Sequence, residues 1–487
     1  MTSSPLSVVL VGAGAAGLRL AQILLTEAPR PIQVTILEAN DYCGGRVRNI
    51  SFDGYTVEMG ANWISGLETA FDNPIWRLAK NNGLRTNPSD RENPCRMHVV
   101  DCTKNTEEDG RGVNGGPVIT DLYLKQAKMF DEVYAKSLEE VNSSVSSVSF
   151  DKDVDVRSLL QRNGWTPTCP MDYAIEHNLL EVWVAEDLSQ LSAEHNMKVG
   201  ANDMDLGQDE VFVEDPRGFR SIFEDVIHDL ETSKTTTIQL GTEVQSIQYA
   251  PKDTKVLARD LKTGCVVEYS ADIVVSTVSL GVLQNGSIRF NPPLPKWKVD
   301  ALNEVGMFNF GKVFAKFRTR LWPEDKDYLL LVSKQPGYYP LWMRYQHCED
   351  PILMCYLGGA NARRVESLSE EEIQDEIEEL FGKAFGHSND CRPIKVTVTD
   401  WSKNPRFNGS YSYFPKGAFA SVCKSDYTSA LSGTVGEIAR PVPSSPKTLY
   451  FAGEAFDDKY NGWVQGGYLS GERVGRTILQ DHFKERF

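Results

Sequence analysis

At 487 residues the chain is too long for a single hydrophobic core, so two domains, consecutive or interleaved, are expected within an ordinary globular composition. Its 67 acidic against 51 basic residues leave a net charge of −16, which argues against nucleic acid or an anionic membrane as partner and mildly favours a small cation. No run reaches the ~18 apolar residues of a membrane span, no basic stretch precedes an apolar one at the N-terminus, and nine scattered cysteines form no CxxC pair; reduced thiols, no metal site and a cytoplasmic location are expected.

The first elements form a dinucleotide fingerprint. Ser7–Val11 reads as a strand, Gly12-Ala13-Gly14-Ala15-Ala16-Gly17 as a glycine turn, the residues to about Glu27 as a helix, and Gln33–Leu37 as a second strand ending at Glu38. Gly12 permits the tight turn, Gly14 lets backbone N–H groups approach a pyrophosphate, and Gly17 lets helix and strand pack closely. The pyrophosphate sits on the positive helix N-terminus. Glu38 lies 21 residues past Gly17, where a carboxylate accepts both ribose hydroxyls and argues against a 2′-phosphate.

Beyond Glu38 come Gly44-Gly45-Arg46, a turn that can lie against a phosphate or a flat ring, and Gly60-Ala61-Asn62-Trp63, small residues flanking an aromatic. A helix is expected from Asn73 to about Arg91, a polar Gly-rich strand pair and loop from 93 to 117, a long helix from Asp121 to Asn142 and a Ser/Val linker at 143–149. Residues 153–200 read as mostly helical. Asp215-Pro216-Arg217-Gly218-Phe219 opens another helix, 237–247 alternates as one strand, and 255–269 is a strand pair turning at Lys262-Thr263-Gly264. Ala271–Val278 is a buried strand, and 314–317, 328–332 and 352–357 suggest an antiparallel sheet. Ser369-Glu370-Glu371-Glu372 is a capping box opening a helix with an Ile373, Ile377, Leu380, Phe381 stripe. A strand ending at Gly453-Glu454 and a terminal helix starting near Gly466 close the chain.

This order of motifs resembles the flavin-containing amine oxidases over nearly the whole chain, and within them the plant-type polyamine oxidases. The resemblance implies a Rossmann-like FAD-binding domain (1–83, 206–290, 395–487), interleaved with a substrate domain (84–205, 291–394) of antiparallel sheet flanked by helices. The fold class is then α/β combined with α+β. The cofactor set it implies is Gly12, Gly14, Ala16, Gly17, Glu38, Gly45, Arg46, Gly60, Ala61, Asn62, Trp63, Val244, Trp401, Gly453, Glu454, Trp463 and Val464. Val244 holds the adenine through its backbone, and the terminal helix directs its positive end at the flavin.

The resemblance also implies where chemistry occurs. Tyr411 and Trp463 match two walls of an aromatic sandwich, and Lys312 matches a lysine holding a water at flavin N5. Ser410 stands where covalent relatives carry Cys, so FAD is expected to be non-covalent. Phe310 matches a substrate-lining tyrosine. Ser65 departs from the family pattern, which has an acidic residue or His there, so the substrate ammonium needs another carboxylate, Glu181 or Glu186. The expected activity is oxidation of spermine, spermidine or acetylated forms by FAD and O₂, in a monomer or weak homodimer. An L-amino-acid or monoamine oxidase, or a non-catalytic flavin-binding protein, are the alternatives.

Overall fold

The structure, a computed structural model, describes residues 5–88, 93–103, 115–144, 153–193, 196–197, 206–207, 209–250, 253–345, 348–418, 439–442, 448–457 and 459–483. Most of the expected loop at 93–117, most of the linker at 143–149, and Cys423 lie outside these residues.

Short runs rich in Val, Ile and Leu without polar alternation suit parallel strands covered on both faces. Three of them, with Leu449–Phe451 and the more polar edge strand Thr236–Gln239, form a parallel sheet in the order Leu449–Phe451, Ile273–Ser276, Ser7–Val11, Gln33–Leu37, Thr236–Gln239. The helix Ala15–Thr26 packs on the helix Val464–His482. Glycines allow the close approach: a Cβ built on Gly471 would stand 2.2 Å from the Ala16 carbonyl oxygen, and one on Gly475 2.9 Å from Ile23. Both helix N-termini therefore open side by side at the C-terminal edge of the sheet, the usual place for a ligand in such folds.

The alternation over 237–247 belongs to two strands rather than the one expected. Thr236–Gln239 ends the parallel sheet, and Thr242–Ala250 begins an antiparallel one with Asp253–Asp260 and Val266–Ala271, to which Arg289–Asn291 adds in parallel. The break is Gly241, at φ +64°, whose N–H donates to Asn40 O at 2.8 Å while Thr242 N–H donates to Glu38 O at 2.8 Å. The turn thus wraps around the end of the Glu38 strand. The helix expected over 73–91 is shorter, Pro74–Asn81, because Gly83 at φ +58° ends it and Thr86–Pro88 becomes a strand. That strand and Trp63–Ser65 pair with opposite edges of Glu210–Val213.

A six-stranded sheet runs Lys395–Val398, Phe310–Lys316, Ile352–Gly358, Leu341–Arg344, Tyr328–Val332, Met97–Asp101, antiparallel except for the last pair. Against it lies the helix Glu370–Phe385, capped by Ser369 through the reciprocal Ser369–Glu372 hydrogen bonds, with the expected apolar stripe buried. On the other side are the helices Thr120–Ser144, Val156–Arg162 and Pro170–Glu176. The last continues through a π turn, His177–Glu181, into Val182–Val184 and stops at Ala185, φ +41°. Among the described residues no helix is long and apolar enough to cross a membrane.

Candidate active site

A cavity of about 1570 Å³ starts at the glycine turn, passes the edge of the parallel sheet and ends beneath the helices of 120–184. At its start Gly12 adopts φ +108°, and a Cβ on Gly17 would stand 2.1 Å from the Gly12 carbonyl oxygen, so Gly17 is buried behind the lining as a packing residue. Gly14 differs: a Cβ there meets nothing within 4 Å, and the residue faces the open cradle. Glu38, 5% exposed, accepts Ala13 N–H at 2.7 Å on one oxygen and Asn40 N–H and side-chain amide at 2.8 and 2.7 Å on the other. Burial pushes its pKa up against the pull of those donors. Val244 lines the next part of the cavity.

Arg46 joins two segments that sequence reading put on the cofactor. Its guanidinium donates to Ser410 O at 3.0 Å and to Glu454 at 2.8 Å. The other Glu454 oxygen accepts Ser412 Oγ–H at 2.6 Å, and the N–H groups of Gly462 at 2.8 Å and Ser412 at 3.3 Å. This buried carboxylate therefore ties together three stretches of the lining, around residues 46, 412 and 462.

Lys312 lies behind the lining and is 1% exposed. It occupies the face of Phe310–Lys316 that carries Phe310 and Phe314 toward the cluster around Trp63 and Tyr356. Its Nζ donates to Glu58 O at 3.0 Å, to Asn62 Oδ1 at 2.6 Å and to Gly60 O. All three ammonium donors thus hold the segment that forms the wall, instead of pointing past it into the cavity. Burial pushes the lysine pKa down and that of the neighbouring Glu58 carboxyl up.

The aromatic end is built from five elements. Tyr411, Trp463, Phe310, Trp63 and Trp401 all line the cavity, as do Gly45, Gly60, Ala61, Ala16, Gly453 and Val464. Tyr411 is held by its hydroxyl, which donates to Trp183 O at 2.7 Å, and by an edge contact with Phe308 at 5.0 Å. A Cβ on Gly462 would stand 3.2 Å from the Tyr411 ring, so glycine before Trp463 keeps the walls clear of each other. Trp401 donates to Met59 O at 3.2 Å, and Trp63 packs on Phe212 at 5.1 Å and Tyr356 at 5.4 Å. Ser65 also lines the cavity.

The two carboxylates expected to receive a substrate ammonium are engaged by other side chains. Glu186 pairs bidentately with Arg363 at 2.9 and 3.1 Å, since the left-handed Ala185 turns the chain away, and Glu181 faces Arg157 and His177 at 3.8 and 3.5 Å. Neither lines the cavity; the π turn presents Leu179, Leu180 and Trp183 instead. Tyr134, Trp183, Phe308 and Glu210 line it without having been singled out for the site.

The sequence matches the family described as flavin containing amine oxidoreductase over residues 15–479. The chain belongs to the flavin-containing amine oxidoreductases. It is 30% identical to polyamine oxidase 1 of Zea mays, covering 95% of this chain and 88% of that protein, and 29% identical to polyamine oxidase 6 of Oryza sativa subsp. japonica, with the same coverage. A wild-type putrescine oxidase bound to putrescine shares the fold, with a TM-score of 0.69 and 17% identity over 98% of this chain and 100% of that one.

FAD is the cofactor of this flavin-containing amine oxidoreductase, and the lining suits it. The cavity exceeds the roughly 300–1,000 Å³ of ordinary ligand pockets, leaving room for a dinucleotide and a substrate together. Buried polar atoms along it, Asn62 Nδ2, Asn461 Oδ1 and Gln465 Nε2, have no partner among the described residues. Burial alone would raise the pKa of Glu454, but Arg46 and the hydrogen bonds from Ser412 and Gly462 outweigh it and hold the carboxyl below its ordinary 4.5. Its stabilising contribution is therefore complete above that value and lost as pH falls through the lower folded one. Acid titration monitored by flavin fluorescence should release cofactor as Glu454 protonates, and Glu454→Gln should bind FAD more weakly at neutral pH with a flatter acid dependence. An unchanged acid midpoint in that variant would contradict this role.

Proposed function

We propose that this oxidoreductase acts on polyamines, spermine or spermidine or their acetylated forms, at a carbon beside an amine nitrogen. The resulting imine hydrolyses to an aldehyde and a shorter amine. The chemistry that FAD would supply when bound is acceptance of the hydride and return of two electrons to O₂, giving H₂O₂. The observation that carries the reading is the continuity of one cavity from the Gly12–Glu38 cradle to the aromatic walls of Phe310, Tyr411 and Trp463. The names of the plant and putrescine-binding relatives support the substrate class.

The chain's own residues do four things in this scheme. The apolar, aromatic enclosure favours the neutral amine, which alone has the lone pair for hydride loss. Tyr411, locked by Trp183 and Phe308, and Trp463 present electron-rich faces to the charge that builds on nitrogen. Lys312 is a positioning residue that fixes Gly60 and Asn62, and the N-terminus of Val464–His482, which opens on the cavity, would offer partial positive charge to a bound flavin. Ser410, whose hydroxyl accepts Phe310 N–H at 2.8 Å and donates to Phe308 O at 2.9 Å, supplies no thiol, which supports non-covalent FAD. We assign 1–83, 206–290 and the last part of the chain to the cofactor domain, with the final boundary after Val398, since Lys395–Val398 pairs with the substrate-side sheet. The net charge of −16 opposes self-association, in keeping with a monomer or weak homodimer.

Anaerobic mixing with spermine, spermidine, N-acetylspermine, a monoamine and an L-amino acid tests the reading. A polyamine should bleach the flavin absorbance fastest and yield the matching aldehyde. Bleaching by the L-amino acid or monoamine alone would overturn it.

A further inference from the structure

We infer that Arg406 is a further cofactor-binding residue: hooked through Asn40 to Glu38, the carboxylate expected on the ribose, its guanidinium presents a cation to the pyrophosphate of FAD, whichever amine is oxidised. A dinucleotide brings a doubly charged pyrophosphate into a cavity that already holds the Glu38 and Glu454 carboxylates. Among the described residues four arginines and no lysine or histidine line that cavity. Arg46 is matched by the buried Glu454 at 2.8 Å. Arg259 and Arg289 stand exposed on the strands either side of Thr242–Ala250, paired with Glu243 and Ser246, and so rim the nucleotide end at Val244. Arg406 is the lining cation that adjoins Glu38.

A chain of hydrogen bonds connects Arg406 to the glycine turn. Its Nη1 donates to Asn40 Oδ1 at 3.0 Å, the Asn40 amide donates to one Glu38 oxygen at 2.7 Å, and the other Glu38 oxygen accepts Ala13 N–H at 2.7 Å. Asn40 is buried and its carbonyl also holds the Gly241 turn, so the hook is fixed. Arg406 is braced from its own side as well: its backbone N–H donates to Asn404 Oδ1 at 3.1 Å, and the adjoining Phe407 ring packs edge-on against Trp401 at 5.1 Å. Asp400, which anchors the Asn404 amide, pairs with Arg48 at 3.0 Å, and no carboxylate pairs with Arg406 among the described residues. Asn40 takes one donor of the guanidinium, and the others have no partner among the described residues of this lining. Phosphate oxygens suit such a fork, and the ribose of a dinucleotide is one methylene from its pyrophosphate. The helix beginning at Ala15 supplies only partial positive charge from its own side. Burial pushes the Glu38 carboxyl up, and the Arg406 charge joins Ala13 and Asn40 in opposing it, which favours the ionised form that ribose hydroxyls need.

The test follows FAD release from the holoenzyme, by the rise in flavin fluorescence, over a series of NaCl concentrations. Arg406→Gln should release FAD about 10- to 100-fold faster, the worth of hydrogen bonds to a charged group. Its release should also depend less on salt than that of the wild type, because one screened contact is gone. Arg406→Lys should recover much of the retention together with the wild-type salt dependence. Release from Arg406→Gln at the wild-type rate overturns the inference. So does faster release with an unaltered salt dependence, which is what an arginine that only braces the 400–409 turn would give. Should Arg406→Gln fail to load FAD, Arg406→Lys decides: retained FAD with the wild-type salt dependence supports the inference, and loss of either overturns it.

Discussion

Lys312→Met should lower amine oxidation by roughly 10²- to 10³-fold and also destabilise the fold, because a misplacement of about 1 Å in a wall of the reacting slot is worth about two orders of magnitude. The lysine is almost wholly enclosed, and its three donors are the partners of Glu58 O, Gly60 O and Asn62 Oδ1. Methionine fills the volume but strands those acceptors. It also removes the cation nearest the buried Glu58, whose Oε2 has no partner among the described residues. Each buried acceptor left without its donor costs about 1–3 kcal/mol. Single-turnover bleaching measures the rate and thermal melting the stability. A variant that keeps its flavin and oxidises polyamines at the wild-type rate would remove Lys312 from the site.

The second large effect is expected from one methyl group. In Gly60→Ala the new Cβ would stand 1.7 Å from the Arg46 carbonyl oxygen and 2.9 Å from its carbon, both backbone atoms with no rotamer to give way. Relief requires separating the strips that carry Gly60 N–H→Arg48 O at 3.1 Å and Met59 N–H→Arg48 O at 2.8 Å. It would carry Arg46 away from Glu454 and Gly60 away from Lys312 together. Overpacking alone costs about 1–3 kcal/mol, and the loss of those bonds adds to it. The protein should be recovered colourless, read as the ratio of flavin to protein absorbance. Gly54→Ala is the control: its Cβ meets nothing within 4 Å, so only the φ of +89° is penalised, by about 1 kcal/mol, and the yellow colour should persist.

What sequence reading captured was local. The Gly12–Glu38 unit, the Ser369 cap and the 255–269 hairpin are each specified within a few tens of residues, and each is in place. Where it went astray, a long-range contact overrode a local pattern. Alternation continues unbroken across 237–247, yet Gly241 hydrogen-bonds to Asn40 and splits it between two sheets. Glu181 and Glu186 were natural candidates by charge, but Arg157 and Arg363 are their partners. The resemblance marked Lys312 without showing that its ammonium is spent on the wall. Glu210 could not be placed beside Ser65 because the pairing closes a loop of more than a hundred residues, and only its register puts the side chain on the cavity face.

The order of strands in the parallel sheet also has a consequence for synthesis. The unit that grips the dinucleotide is made first, but its sheet is completed by Ile273–Ser276 and Leu449–Phe451, and its helix is flanked by Val464–His482. At about 5–20 residues per second, roughly 20 to 80 s pass between emergence of the second strand and of the last. Thr236–Gln239 and Ile273–Ser276 cover the edges of the nascent fingerprint about halfway through, but the flank of its helix stays open until Val464–His482 is made, so loss of the C-terminal helix would be felt first as failure to load cofactor.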